Sequence, residues 1–384
     1  MTTSVTIPKT AGTNPLKGLL EYGQSPWMDY IRRDLLTGGG LKKMIEEDGL
    51  RGQTSNPSIF EKAIAESTLY DDILQSPDAK SLNAKSLYEK IAIRDVQDAC
   101  DIFKPVYQST RRRDGYVSLE VSPYLANDQK ATLEEARRLW KTVGRENLMV
   151  KVPGTPEGIP AVRQLLEDGL NINITLLFAQ SAYEQVAEAF LSALEARALK
   201  GQDVSHCASV ASFFVSRIDT LIDSKIEEKL KGTSGDAKTL LSSIEGKVAI
   251  ANARLTYKKY QELFGGPRWK ALAAKGAQTQ RLLWASTSTK NPKYRDVLYV
   301  EELIGADTVD TIPPATFDAF RDHGKLRPSL TEDVAGAAKT MENLAKAGIS
   351  MKEVTQKLLQ DGVKLFADAF KTLLDATGKS AGVR

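Results

Sequence analysis

The runs V-S-L-E-V-S at residues 117–122, L-M-V-K-V-P at 148–153 and L-N-I-N-I-T-L-L at 170–177 alternate in a way that a parallel strand covered on both faces does not need. Val117, Leu119 and Val121 share one parity with Ser118, Glu120 and Ser122 between them. Leu148, Val150 and Val152 alternate with Met149, Lys151 and Pro153, and Ile172, Ile174 and Leu176 with Asn171, Asn173 and Thr175. Successive side chains of a strand point to opposite faces. If the apolar parity meets a layer of helices, the other parity points into an interior shared by the strands. Glu120, Lys151, Asn173 and Thr175 then stand around one lumen on consecutive strands.

Five further runs read as strands: Pro26 to Ile31, Gly52 to Asn56, Ala208 to Val215, Leu282 to Thr287 and Asp307 to Ile312. Helical patterns lie between most of them. Thr132-x-x-Glu135 reads as a capping box ahead of an apolar face formed by Leu133, Ala136, Leu139, Trp140 and Val143. Gln180 to Lys200 is a helix that stops at Gly201. Strands alternating with helices imply parallel pairing by right-handed crossovers, and eight such units can close. The expected fold is α/β, a (β/α)8 barrel of the TIM type with additional helices at its N- and C-terminal ends. A doubly wound open sheet is the alternative, although no G-x-G-x-x-G follows the first strand. One domain over residues 1–384 is expected, with a helical insertion around 225–265 and a C-terminal extension from about 330. Lys231 to Lys238 reads as an exposed loop within that insertion. In the extension, Ser350-x-x-Glu353 opens a helix through Leu374, with Met351, Val354, Leu358, Leu365 and Phe366 as apolar positions, packed across the barrel.

Composition narrows the chemistry. The chain has 384 residues, 42% hydrophobic and 26% charged, and 52 basic against 49 acidic side chains leave a net charge of +3. That balance gives no electrostatic reason to expect a nucleic-acid or membrane partner. Cys100 and Cys207 could form at most one disulfide, so a secreted disulfide scaffold is excluded and a reducing compartment is expected. His206 and His323 are too few for a His-based zinc site. Met1 to Pro15 has no basic segment followed by an apolar one, and no apolar run approaches the roughly 18 residues of a membrane span. A cytoplasmic protein is expected, with acid–base chemistry resting on carboxylates, Lys, Tyr or water.

Three constellations carry chemistry. Lys151 on a lumen-facing parity is a Schiff-base candidate, because an amine withdrawn from water suits attack on a carbonyl, and the resulting iminium is an electron sink. Glu120 and Asp29 supply carboxylates for the proton transfers. The bland alternative is a Lys151–Glu120 ion pair that does no chemistry. Gln53-Thr-Ser-Asn-Pro-Ser58 offers hydroxyls and amides that suit a polyhydroxylated substrate, or else is a plain turn. Arg217 past the sixth strand, with Ser286, Ser288 and Lys290 past the seventh, offers donors for an anion, or a solvated rim. Arg111 to Arg113, beside Asp114-Gly115, reads as surface.

Across nearly its whole length the chain resembles transaldolases of the longer bacterial type. The resemblance is carried by W-M-D-Y-I from Trp27, T-S-N-P-S-I-F from Thr54, V-S-L-E-V from Val117, M-V-K-V-P-G-T from Met149, N-I-T-L-L-F from Asn173, L-W-A-S-T from Leu283 and V-L-Y-V-E-E-L-I-G from Val297. It implies a class I aldolase-type barrel in which Lys151 forms the Schiff base with a ketose phosphate and Asp29 takes the proton that triggers carbon–carbon cleavage. Glu120, with Thr175 and a bound water, would shuttle protons around the carbinolamine. Asn56 and Asn173 would hold the dihydroxyacetone unit, Thr54 would orient Asp29, and Ser212 would lie near the substrate. Arg217 and Ser286 would bind the phosphate, Phe214 would shape the pocket, and no cofactor or metal would be required. The implied substrates are sedoheptulose 7-phosphate with glyceraldehyde 3-phosphate, giving erythrose 4-phosphate and fructose 6-phosphate in the non-oxidative pentose phosphate pathway, by a monomer or homodimer.

One departure stands out. Shorter members of that family carry a second phosphate-binding Arg two residues beyond the position of Ser286, and here that residue is Ser288. Lys290 can restore the charge but not the bidentate fork. Two other functions stay open: an aldolase that releases free dihydroxyacetone, and a silent sugar-phosphate-binding barrel that would not need Lys151.

Overall fold

The computed structural model describes residues 14–383; most of the Met1 to Pro15 segment therefore lies outside the described residues. The alternating runs become β3 (Tyr116–Glu120), β4 (Leu148–Pro153) and β5 (Ile172–Leu177), paired in parallel with Glu120 opposite Lys151 and Lys151 opposite Asn173. With β1 (Gln24–Asp29), β2 (Gly52–Thr54), β6 (Ser209–Phe214), β7 (Arg281–Ala285) and β8 (Thr308–Ile312) they form a closed barrel in sequence order. Pairing of β1 with β8 completes the ring and eliminates the open sheet.

Several boundaries moved for identifiable reasons. The first strand starts at Gln24, whose buried amide donates to the Leu303 carbonyl at 2.6 Å and the Thr308 hydroxyl at 3.0 Å; a polar residue here serves the sheet. Leu170 and Asn171 precede β5, and the Asn171 amide instead ties the Glu146 and Leu148 carbonyls to the neighbouring strand's approach. Asn56 leaves β2 to cap the helix Pro57–Ala65, its side chain accepting from the Ile59 amide. Thr287 lies past the end of β7, and Asp307 turns through φ +59 before β8.

The capping box at Thr132 and Glu135 is not a cap. The helix runs Gln129–Val143 and is capped by Asp128, whose carboxylate accepts from the Ala131 amide at 2.9 Å. Thr132 and Glu135 lie inside it, turned inward: Thr132 donates to the Leu125 carbonyl, and Glu135 accepts from the Ser122 amide and pairs with Lys85. Arg111 to Arg113 was likewise misread in part. Arg111 is exposed, but Arg113 pairs with Asp307, and the adjacent Asp114 is buried against Arg281 at 2.8 Å and the Ser25 hydroxyl at 2.9 Å. These contacts join the starts of β1, β3 and β7, at the end of the barrel remote from Lys151.

The long interval after β2 holds the helices Pro57–Ala65 and Ala84–Ser109, and the one after β6 holds Ser216–Leu230, Gly235–Ile244 and Val248–Gly265. The exposed Lys231 stretch is shorter than read, because the next helix starts at Gly235. The helix capped by Ser350 continues to Ala381, beyond Leu374. Val354, Leu358 and Phe370 of that helix are buried, whereas Leu365 is 52% exposed at the mouth of the central cavity.

Asp310 of β8 is a polar residue on the face away from the lumen. It is fully buried, with the Thr287 hydroxyl donating to Oδ1 at 3.0 Å, and Oδ2 has no hydrogen-bond partner among the described residues. Burial pushes its carboxyl from the usual 3.8 up to about 8, opposed by the Thr287 bond. The folded state thus binds a proton that the unfolded chain releases near pH 4, so this group's contribution is fully present in acid and is lost as pH rises toward 8. Asp310→Asn is expected to gain stability relative to the parent as pH rises from 5 to 8. Melting temperatures across that range test it; a pH-independent difference would contradict it.

Candidate active site

Lys151 projects from β4 into a cavity of about 540 Å³ at the carboxyl end of the barrel, within the range of small-molecule sites. Its Nζ donates to the Ser55 carbonyl at 3.1 Å and lies 2.9 Å from Glu120 Oε1. The two side chains are only 7% and 10% exposed. Burial raises the Glu120 carboxyl above the usual carboxylate range; Lys151 opposes that shift and the negative charge of Asp29 adds to it. A carboxyl so placed can hold a proton beside the amine.

The turn after β2 builds the next wall. Pro57 opens the following helix, which leaves Thr54 and Asn56 to face Asp29 across the β1–β2 pair. The Thr54 hydroxyl donates to Asp29 Oδ1 at 2.8 Å and Asn56 Nδ2 to Oδ2 at 3.2 Å. The Thr311 hydroxyl lies 2.7 Å from that of Thr54 and, with the Thr54 proton committed to Asp29, acts as its donor. Asp29 is half-buried and lines the cavity, held at both oxygens.

Across the lumen, Asn173 of β5 donates to the Ser118 hydroxyl at 3.0 Å and accepts from Ser212 of β6 at 2.6 Å, which fixes the orientation of its amide. Thr175 lines the cavity with a buried hydroxyl that has no hydrogen-bond partner among the described residues. A polar atom so placed is suited to a substrate or water oxygen.

The far wall is cationic. Arg217, second residue of the helix Ser216–Leu230, lies with its guanidinium 5.5 Å from the Phe214 ring. Burial lowers the Arg217 pKa; at Lys290 burial lowers it first and the charge of Arg217 second. Neither cation forms an ion pair among the described residues, and Lys290 instead donates to the Ser288 hydroxyl at 2.8 Å. Ser286 is held at φ +57, unusual outside glycine, and its hydroxyl lies 3.0 Å from that of Ser216. Two cations flanked by hydroxyls at a helix start are suited to an anion.

Every residue given a role from sequence borders this cavity except Glu120, which stands behind Lys151, and Asn173, which stands behind Ser212; of the run Gln53–Ser58, Gln53 and Ser55 also lie outside it, donating to the Tyr30 and Ser118 carbonyls. The reading missed Thr311 and a wall from the C-terminal helix that includes Phe366, Asp368 and Thr372. Parity in T-V-D-T-I could have found Thr311; the helical wall left no signal, because apolar periodicity assigns Phe366 to the core. Among the described residues no group of three His, Cys, Asp or Glu side chains is placed to hold a metal ion.

The transaldolase/fructose-6-phosphate aldolase family model matches residues 26–377. The chain belongs to this family. A transaldolase of Trichodesmium erythraeum is 48% identical over 95% of the chain and 97% of its own length. One from Thiobacillus denitrificans is 45% identical over 95% of the chain and all of its own length, and one from Thermobifida fusca 42% identical over 94% and 97%. The cavity that holds Lys151 thus belongs to a family whose named relatives are transaldolases over nearly their full length.

Proposed function

We propose that the chain is a transaldolase that moves a dihydroxyacetone unit from sedoheptulose 7-phosphate or fructose 6-phosphate to an aldose phosphate, in the cytoplasm and within the non-oxidative pentose phosphate pathway. The observation that carries this reading is the Lys151 amine, nearly buried, facing the cavity and 2.9 Å from Glu120. Glu120 takes the proton from the ammonium, and the neutral amine adds to the ketose C2 carbonyl. The carbinolamine then loses water, with Glu120 and the Thr175 hydroxyl serving the proton transfers, to leave an iminium. Asp29 removes the C4 hydroxyl proton. The C3–C4 bond breaks, its electron pair enters the iminium to give an enamine, and the aldose departs. Addition of the enamine to an acceptor aldehyde and hydrolysis of the new iminium return Lys151. Asn56 and Asn173 hold the three-carbon unit, while Arg217, Ser286, Ser288 and Lys290 hold the phosphate.

Formation of fructose 6-phosphate and erythrose 4-phosphate from sedoheptulose 7-phosphate and glyceraldehyde 3-phosphate tests the activity; no product would refute it. Arg217→Ala is expected to lower kcat/KM for phosphorylated substrates about 10- to 100-fold, the scale of one charge-assisted hydrogen bond. At saturating donor, kcat/KM for an unphosphorylated acceptor such as glyceraldehyde should change little. An equal loss for both acceptors would argue against the phosphate assignment.

A further inference from the structure

Among the cavity side chains that take no part in the scheme above, one lies against the amine. Phe366 of the C-terminal helix lines the cavity with its ring centroid 5.8 Å from Lys151 Nζ. Two contacts bring it there. Gly362, one turn earlier, lies so close to β5 that a Cβ would come within 2.9 Å of Leu176 Cδ2. Leu176 is the residue at φ +63 in the stretch where the β5–β6 register shifts. One turn later, Phe370 packs edge-on against Tyr88 at 5.6 Å and Tyr124 at 5.5 Å. Residues four apart share a helix face, so the contacts that seat this helix aim Phe366 at the amine.

We propose that Phe366 retains the dihydroxyacetone unit on the enzyme between departure of the first aldose and arrival of the second, and so sets transfer against release. The inference rests on the Schiff-base reading. Release requires the enamine carbon to take a proton from water, then water to add across the resulting C=N bond. The C–N bond then breaks, leaving free dihydroxyacetone and the amine. A ring face over the nitrogen excludes that water and attracts the iminium cation. Phe366 is half-buried with its ring against the cavity, so its replacement leaves the buried contacts of Phe370 in place.

The test measures free dihydroxyacetone released from fructose 6-phosphate without acceptor, relative to transfer with acceptor. Phe366→Ala is expected to raise that ratio about ten-fold, on the order of a lost cation–π contact, and Phe366→Tyr to keep the parent ratio. Should the alanine variant fail to fold, Phe366→Leu, apolar but without a ring, should show the same rise. An unchanged ratio in the alanine and leucine variants overturns the role of Phe366. Borohydride trapping of the parent enzyme in the same experiment separates the two ideas: without a covalent adduct the Schiff-base reading itself fails, whereas an adduct with an unchanged ratio removes Phe366 alone.

Discussion

Lys151→Ala is expected to abolish both borohydride-dependent labelling by fructose 6-phosphate and turnover, with kcat falling on the order of 10⁶-fold, the scale of deleting a covalent nucleophile. The size of the effect follows from the geometry. Among the described residues Nζ is the one amine held against both Glu120 and the Ser55 carbonyl, while Arg217 and Lys290 line the cavity past β6 and β7. The variant should remain folded. Removing a partner from a buried ion pair is costly when the remaining charge is trapped, but burial already drives the Glu120 carboxyl toward its protonated form, so it can become neutral. Circular dichroism checks the fold and mass spectrometry the label. A variant that still acquires the label at parental yield would refute the assignment.

Asp29→Asn is expected to separate two steps that Lys151→Ala removes together. Asparagine keeps the size of the side chain and a partner for Thr54, yet cannot take the C4 hydroxyl proton. Loss of a general base costs about 10²- to 10⁴-fold, and that loss should fall on carbon–carbon cleavage. Imine formation, served by Glu120 on the adjoining pair of strands, should persist. Trapping with fructose 6-phosphate then yields a six-carbon adduct on Lys151, where the parent accumulates the three-carbon one. A three-carbon adduct formed at the parental rate would remove Asp29 from this role.

The barrel interior was legible because a strand's period is two and its register is unforgiving. Once Val117, Leu119 and Val121 faced the helices, Glu120 had to face inward, and parallel pairing set it opposite Lys151. The turn at Thr54 to Ser58 was legible through Pro57, which ends the strand and leaves Asn56 both to cap a helix and to reach Asp29. Thr132 and Glu135 misled because a capping box specifies spacing alone. The same residue types inside a helix can serve tertiary partners, as Glu135 does at the Ser122 amide. In β8 it is Thr311 and not the charged Asp310 that faces the site, because parity and not charge decides which side chain enters the lumen. Phe366 and its neighbours were not legible as cavity residues. Their place depends on how closely a distant helix can approach β5 at Leu176, a three-dimensional contact with no periodic trace.

The central claim is that the amine of residue 151 becomes covalently bound to the ketose. Incubation of the parent protein with fructose 6-phosphate, reduction with borohydride and peptide mapping by mass spectrometry address it most directly. A dihydroxyacetone-derived mass on the peptide carrying Lys151, absent without substrate or without reductant, is the predicted result. An unmodified Lys151 peptide from protein that turns the substrate over would contradict it, as would the label on another lysine.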